Sequence, residues 1–322
     1  MASPDAFRFR LTRDACAPAA RGSALTIGNF DGVHLGHRAL IERVVAAARA
    51  DGLEATVVTF EPSPARWFAR RGGLEPPPRL QRLRDKLETL AALGITRVHL
   101  VRFNEALASL SPDAFCDRVL AEALNVRWAI VGEDFRYGRA RSGDAQTLAR
   151  WCARRGVTCE RLAPIGAEGM RYSSSAVRLA LAAGDCAAAA RMLGRPYAIS
   201  GRVAHGDKLG RQLGFPTLNL PLWWPLPLSG VFAVWVHVAG YAKPLPGAAS
   251  VGVRPTVTER GDPRLEVHLL DFAGDLYGRR VRVEFVSYLR PEERFASAAA
   301  MREQMQRDVA IARERLAAPQ AA

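Results

Sequence analysis

The sequence is short of several things, and each shortage removes a class of protein. Five of 322 residues are cysteine (Cys16, Cys116, Cys152, Cys159 and Cys186), with no C-x-x-C pair and an odd total. A disulfide scaffold and a cysteine-held zinc site are thereby set aside, and reduced thiols in the cytoplasm are expected. No apolar run reaches eighteen residues, which argues against a membrane span. The first twenty residues hold Arg8, Arg10 and Arg13 with no continuous apolar stretch after them, so they do not read as a secretory signal. H-E-x-x-H, G-x-x-x-x-G-K-[ST] and the protein-kinase motif set are all missing. Lysine is nearly so, at three of 45 basic residues. Acidic residues number 32, leaving a formal charge of +13 that invites a nucleic-acid partner. The excess is spread, however: residues 1–194 carry 28 basic and 20 acidic groups, and residues 195–322 carry 17 and 12. With no basic tail or lysine block, no nucleic-acid partner is expected. A positive field gathers phosphorylated metabolites equally well.

What is present reads as two halves with different rhythms. In the first, short apolar strands (Ala24–Phe30, Ala55–Phe60, Arg97–Val101, Trp128–Val131, Val157–Leu162) alternate with helix-period segments (His37–Ala50, Leu80–Leu93, Pro112–Leu124, Ala145–Arg154). Leu40, Ile41, Val44, Val45 and Ala48 form one apolar stripe in the first helix. Such alternation implies a parallel sheet covered on both faces, with ligands at the carboxyl ends of its strands. After Gly194-Arg195-Pro196 five strands follow one another: Tyr197–Ala204, Val231–Ala239, Ala248–Val253, Leu265–Phe272 and Arg280–Tyr288. A helix over about Glu292–Leu316 comes last, which suggests an antiparallel barrel closed by one terminal helix.

Thr26 to His37 runs from a strand through a glycine-rich turn (Gly28, Phe30, Asp31, Gly32) into a helix starting near Gly36. Glycines let backbone N–H groups approach a phosphate, and the helix N-terminus adds positive potential. His34 and His37, three apart, sit together at that helix start and could stabilise charge as a phosphoanhydride breaks. Taken alone, H-x-x-H is equally a capping or surface feature, and Asp31 a turn residue. The stretch G-N-F-D-G-V-H-L-G-H resembles the H-x-G-H signature of the nucleotidyltransferases, in particular their FAD synthetase branch. Val131 to Gly138 resembles that branch's second motif. Ser173-Ser174-Ser175-Ala176-Val177-Arg178 resembles its third, with Ser175 and Val177 as conservative departures from S-S-T-x-I-R. The resemblance implies that His34, His37, Asp134, Arg178 and the hydroxyls of Ser173, Ser174 and Ser175 act on the bound nucleotide, with Arg178 clamping phosphates. Unaided, Arg178 reads as a solvated helix residue.

In the second half, Gly201 to Leu220 contains Gly206, Gly210 and Gly214, a loop able to fold over phosphates through its amides. Thr217 and Asn219, two apart, face the same way in an extended chain, and their oxygens suit magnesium. The same F-P-T-L-N-L is equally an ordinary barrel turn and strand. The segment resembles the riboflavin kinase signature G-F-P-T-A-N, with Leu218 in place of alanine. Val251–Thr256, Leu265–Phe272 and Gly274–Gly278 resemble later stretches of that family. By this match Glu266 would be the general base for the ribityl 5′-hydroxyl, although a lone carboxylate there also fits a solvent-facing strand position. His268, on the same face, reads as structural.

In order and extent, the two matches are similar to the bacterial bifunctional riboflavin kinase/FAD synthetase family. That implies a Rossmann-like α/β nucleotidyltransferase domain over residues 1–192 and a Greek-key antiparallel β-barrel kinase domain with a C-terminal helix over 193–322. It also implies ATP, riboflavin, FMN and FAD as substrates or products, and Mg2+ as cofactor. Two rivals stand beside it. One is an enzyme with a single live site. The other is a nucleic-acid-binding barrel, for which Trp223-Trp224 is the one aromatic patch, set among Pro221, Pro225 and Pro227.

Overall fold

The computed structural model describes residues 9–14, 19–167, 169–205, 214–222, 224–253 and 263–318. They divide into two compact units: Ala2–Pro77 with Leu83–Tyr172, and Pro78–Arg82 with Ser173–Ala322.

The first unit is built on strands β1 (Arg10–Arg13), β2 (Ser23–Ile27), β3 (Glu54–Glu61), β4 (Arg97–Arg102), β5 (Val126–Gly132) and β8 (Thr158–Leu162). Two-residue strands β6 (Arg136–Tyr137) and β7 (Gly143–Asp144) pair with each other, as do β9 (Gly166–Ala167) and β10 (Met170–Arg171). The main sheet is wholly parallel in the order β1-β4-β3-β2-β5-β8. Both faces are covered, and strand alternation divides the core. Ala24, Val57 and Ile130 pack on one face with Ile41 and Val44 of helix Leu35–Asp51. Leu25, Val58 and Val131 pack on the other with Phe115, Leu148 and Trp151. The apolar stripe expected of the first helix is buried as expected. The strand order reverses direction at β2, between β3 and β5, so the carboxyl ends of β2 and β5 flank the crevice where such sheets bind ligands.

Three features depart from the sequence reading. β1 is an edge strand of sequence RLTR, too polar to show a core period; it pairs with β4, where Arg97 and His99 are buried. The single helix expected over Pro112–Leu124 is one α-turn, Pro112–Phe115, running into a π-helical stretch, Cys116–Glu122. Helix Pro64–Arg71 was not anticipated.

The second unit opens with helices Ser174–Ala182 and Cys186–Leu193, packed on each other. Strands β11 (Ala198–Arg202), β12 (Thr217–Pro221), β13 (Gly230–Val238), β14 (Leu245–Val253), β15 (Pro263–Leu269) and β16 (Arg280–Arg290) follow. They form an antiparallel sheet ordered β11-β16-β13-β14-β15-β12. β13, β14 and β15 make a meander and β12 returns beside β15, a Greek-key arrangement. The end strands meet where Ala204 N–H donates to the Asn219 carbonyl at 2.8 Å, so the barrel is nearly closed. The sixth strand, β12, is the F-P-T-L-N-L segment. The terminal helix runs Ala298–Ala317 and starts later than expected because Ser297 caps it, its hydroxyl accepting from Ala300 N–H at 3.1 Å. Residues 291–296 are left free to line a cavity.

Candidate active sites

At the carboxyl end of β2 the chain turns sharply. Gly28 N–H still bonds the Val58 carbonyl at 3.0 Å, after which Phe30 (φ 48°), Gly32 (φ 84°) and Val33 (φ 42°) take left-handed conformations. Two of the three are not glycine, and backbone strain of this kind persists only where the surroundings over-determine it. His34 then caps helix Leu35–Asp51, its Nδ1 accepting from His37 N–H at 3.4 Å. That bond assigns the proton of the neutral ring to Nε2, leaving Nε2–H to donate outward. The His34 and His37 rings stack with centroids 3.7 Å apart, and Phe30 lies 4.9 Å from His37. Gly36 leaves room for the His34 ring, since a Cβ would stand 3.2 Å from it and crowd it. The turn therefore brings together Gly28, Phe30, Gly32, His34, Gly36 and His37, all singled out from sequence.

Both histidines are held neutral. Burial, then the Arg171 charge, lowers His34 to about 4 against the opposing pull of Asp31. His37 is pushed well below the ordinary histidine range by burial, then by His34 and Lys86. Its Nδ1 is shut from solvent and has no hydrogen-bond partner. A buried ring nitrogen without a partner beside a helix N-terminus calls for an explanation, and a ligand reaching the turn would supply one. Asp134, one turn beyond β5, receives a 2.6 Å bond from Arg171, so the second motif reaches the histidines through an arginine the sequence reading did not single out. Lys86, equally unmarked, is buried on helix Leu83–Ala92 and donates to the Asn29 carbonyl at 2.7 Å.

The same edge of the sheet carries an aromatic group. Phe60 near the end of β3, Phe103 just past β4, and Trp67 and Phe68 of helix Pro64–Arg71 meet edge to face, with centroids 4.8 to 5.9 Å apart. Phe68 is 55% exposed, unusual for so large a ring. The third motif belongs to the second unit. Ser173 caps helix Ser174–Ala182, accepting from Ala176 N–H at 3.1 Å; Ser174 and Ser175 lie in its first turn. Arg178 Nε donates to the Pro78 carbonyl at 2.7 Å.

The second unit encloses a cavity of about 860 Å³ between the barrel and the terminal helix, within the range of small-molecule sites. One wall is β12 and β15, where Asn219 stands directly opposite Glu266. Thr217 Oγ1 donates to Glu266 Oε2 at 3.5 Å, and Arg264 Nη1 holds the other carboxylate oxygen at 2.9 Å. Asn219 is 8% exposed, and its side-chain oxygen is buried without a partner. A hydroxyl, an unsatisfied amide oxygen and a carboxylate on two paired strands are hard oxygen donors, the kind that suits magnesium. Leu218 does not line the cavity. Phe295, Met301 and Met305 on the side of the terminal helix also line it, as do Phe215 and His268. His268 packs against Phe215 at 5.1 Å and its Nδ1 bonds the Pro216 carbonyl at 3.0 Å. A buried pair ties helix to barrel, Arg290 donating to both oxygens of Asp308 at 2.8 and 2.7 Å. Glu292 lies over the bare Cα of Gly252 and accepts from Ser250 Oγ at 2.8 Å. Gly214 (φ 88°) precedes this wall; Gly206 and Gly210 lie outside the described residues.

Among the described residues no helix is long and apolar enough to cross a membrane. The family model for FAD synthetase matches residues 16–176, and that for riboflavin kinase matches residues 193–316. The bifunctional riboflavin kinase/FMN adenylyltransferase of Pseudomonas fluorescens is 46% identical over 305 residues, 94% of this chain and 96% of that one. The protein of the same name from Escherichia coli K12 is 46% identical over 91% of this chain and 92% of its own, and that from Bacillus subtilis 36% over 89% and 90%. The crystal structure of a macrolide-efflux protein from Streptococcus pneumoniae superposes with a TM-score of 0.77 at 27% identity, over 94% of this chain and 98% of that one.

Proposed function

The chain belongs to the family of bifunctional riboflavin kinase/FMN adenylyltransferases and carries both activities, and we propose that the His34–His37 turn transfers the adenylyl group while the cavity beside Glu266 phosphorylates riboflavin. The adenylyltransferase half is assigned to residues 1–192 and the kinase half to 193–322, although helices Ser174–Ala182 and Cys186–Leu193 group with the barrel in packing.

In the adenylyl transfer, a phosphate oxygen of FMN attacks the α-phosphorus of ATP, the α–β bridge breaks, and pyrophosphate leaves. The nucleophile is already anionic, so no strong base is needed, and catalysis rests on positioning and charge neutralisation. Amides of the turn and the N-terminus of helix Leu35–Asp51 receive the phosphates. Neutral His34 and His37 donate N–H to the oxygens that gain charge. Arg178 and the hydroxyls of Ser173, Ser174 and Ser175 are assigned to the ATP phosphates, and Asp134 to the nucleotide, on the motif match. The group of exposed Phe68 with half-buried Trp67 and Phe103, at the ligand edge of the sheet, supplies a stacking surface for the isoalloxazine ring.

In the kinase half, Glu266 takes the proton of the ribityl 5′-hydroxyl, whose oxygen attacks the γ-phosphorus of ATP as ADP departs. Thr217 and Asn219 would hold a magnesium ion, which when bound neutralises phosphate charge. The orphaned Asn219 oxygen is the observation that carries this assignment. Gly206, Gly210 and Gly214 are assigned to the phosphate loop. Phe295, Met301 and Met305 suit the apolar flavin ring. Small molecules are the partners this reading requires, and free thiols at Cys116, Cys152, Cys159 and Cys186 fit a reducing, cytoplasmic setting.

The test is product chromatography with riboflavin, ATP and magnesium, beside His37→Ala and Glu266→Ala variants. His37→Ala should accumulate FMN; Glu266→Ala should make FAD only from supplied FMN. A His37→Ala enzyme making FAD at the wild-type rate would overturn the assignment of the turn.

A further inference from the structure

Lysine is the cation this chain avoids. Three of its 45 basic residues are lysine: Lys208 lies outside the described residues, Lys243 is exposed, and Lys86 is buried. A lysine in the interior of a sequence so rich in arginine offers a compact ammonium on a flexible stem, which is not interchangeable with a planar guanidinium. Lys86 is 7% exposed, on the same helix face as the fully buried Leu90, one turn further on. Lysine is seldom buried without a task.

Its surroundings state the task. Lys86 Nζ donates to the Asn29 carbonyl at 2.7 Å, and Thr59 Oγ1 approaches the same oxygen at 3.3 Å. Asn29 immediately precedes Phe30, whose left-handed backbone (φ 48°) a bulky side chain does not adopt unaided. Fixing the carbonyl before it holds that conformation, which sends the buried Phe30 ring against His37 at 4.9 Å, and His37 onto His34 at 3.7 Å. Resting on the reading of this turn as the adenylyl-transfer site, we infer that Lys86 is a positioning residue: it locks the turn in the shape that presents both imidazoles. Its charge has a second effect, helping to keep a proton off His37. The charged or titratable groups facing the pair are His34 and Lys86 around His37, and Arg171 and Asp31 around His34.

The experiment uses the full chain, whose kinase reaction reports on folding within the same molecule. Lys86→Met removes donor and charge; Lys86→Gln keeps a donor and removes the charge. Both reactions are followed kinetically, and His37 is titrated by NMR in selectively labelled protein. Lys86→Met should lower kcat for adenylyl transfer about 10- to 100-fold, the range expected of small misplacements, with riboflavin phosphorylation within twofold of wild type. Lys86→Gln should retain more, and in both variants His37 should titrate closer to the ordinary histidine range. Wild-type adenylyl transfer in Lys86→Met, or lost activity with His37 titrating as before, would overturn the inference. His37→Ala runs in parallel. If it loses activity while Lys86→Met does not, only the role of Lys86 falls; if it keeps activity, the reading of the turn falls and takes this inference with it.

Discussion

His34 and Asn219 show two ways in which a single side chain can be prepared for a ligand, one by being held neutral and the other by being denied a partner. With its pKa near 4, His34 reaches neutral pH as a donor of one N–H and not as a cation. Polyphosphate brought against it should reverse that balance, since a nearby anion favours imidazolium. NMR titration of labelled histidine with and without ATP is therefore expected to show the His34 pKa rising on binding. Asn219→Leu makes a complementary prediction. Removing an amide whose oxygen is buried and unsatisfied should leave the melting temperature unchanged or slightly raised, while riboflavin phosphorylation falls at least about 100-fold. Calorimetry and a coupled kinase assay read the two. At this scale the sequence was legible where the candidate residues sit in a contiguous motif, as with the two histidines or Thr217 and Asn219, which the fold does bring together. It was silent on Lys86, Arg171 and Asp308, whose partners lie 57, 37 and 18 residues away. Each looks like any other charged residue on a helix or hairpin until the chain is folded.

Strands and helices were legible in proportion to how far their burial pattern departs from that of a loop. β2, β3 and β5 are almost continuously buried, and their apolar runs announced them. β1 is short, mostly exposed and polar, so neither period nor propensity marked it as a strand, and β12 was legible only as one of two readings of F-P-T-L-N-L. The late start of the terminal helix had the same origin: Glu292 to Ala296 have helix-forming side chains, but they are spent on the cavity. Two predictions belong here. Asp308→Ala leaves the Arg290 guanidinium largely buried without its carboxylate, and should cost about 3 kcal/mol in the barrel unit. Chemical denaturation followed by barrel fluorescence would measure it, with adenylyl transfer in native buffer little changed. Gly252→Ala would place a methyl group where the Glu292 carboxylate now sits, displacing that carboxylate from the cavity wall and from Ser250. The expected result is a riboflavin KM raised several-fold in steady-state kinetics.

At the scale of the molecule, the titrating groups with strongly lowered histidine pKa values all lie in the first unit. His99, buried beside Arg97, is held at about 4, as is His34, and His37 lies well below the ordinary range. A histidine whose folded pKa lies below its unfolded value of about 6.5 contributes stability that is complete above that pH and is lost as pH falls toward the folded value. For His34 and His99 the window runs from about 6.5 down to about 4 and the contribution is on the order of 3 kcal/mol each, while the window of His37 extends lower. Urea midpoints for loss of adenylyl transfer should therefore be lower at pH 5 than at pH 7.5. The whole-chain plan, a parallel sheet followed by an antiparallel barrel, was legible because the change of rhythm after Gly194 is a change of periodicity. The grouping of Pro78–Arg82 with the barrel was not, for it depends on contacts such as Arg82 to the Pro221 carbonyl at 3.1 Å, 139 residues away. One detail of the barrel ties these scales together. The residue whose side-chain oxygen is buried without a partner, Asn219, gives its main-chain carbonyl to Ala204 and so joins the two end strands of the sheet. Occupancy and seam integrity share a residue, and ligand that favours the joined form must slow its opening. The exchange rate of the Ala204 amide then becomes a gauge, readable without any assay of turnover, of how much of the enzyme is loaded.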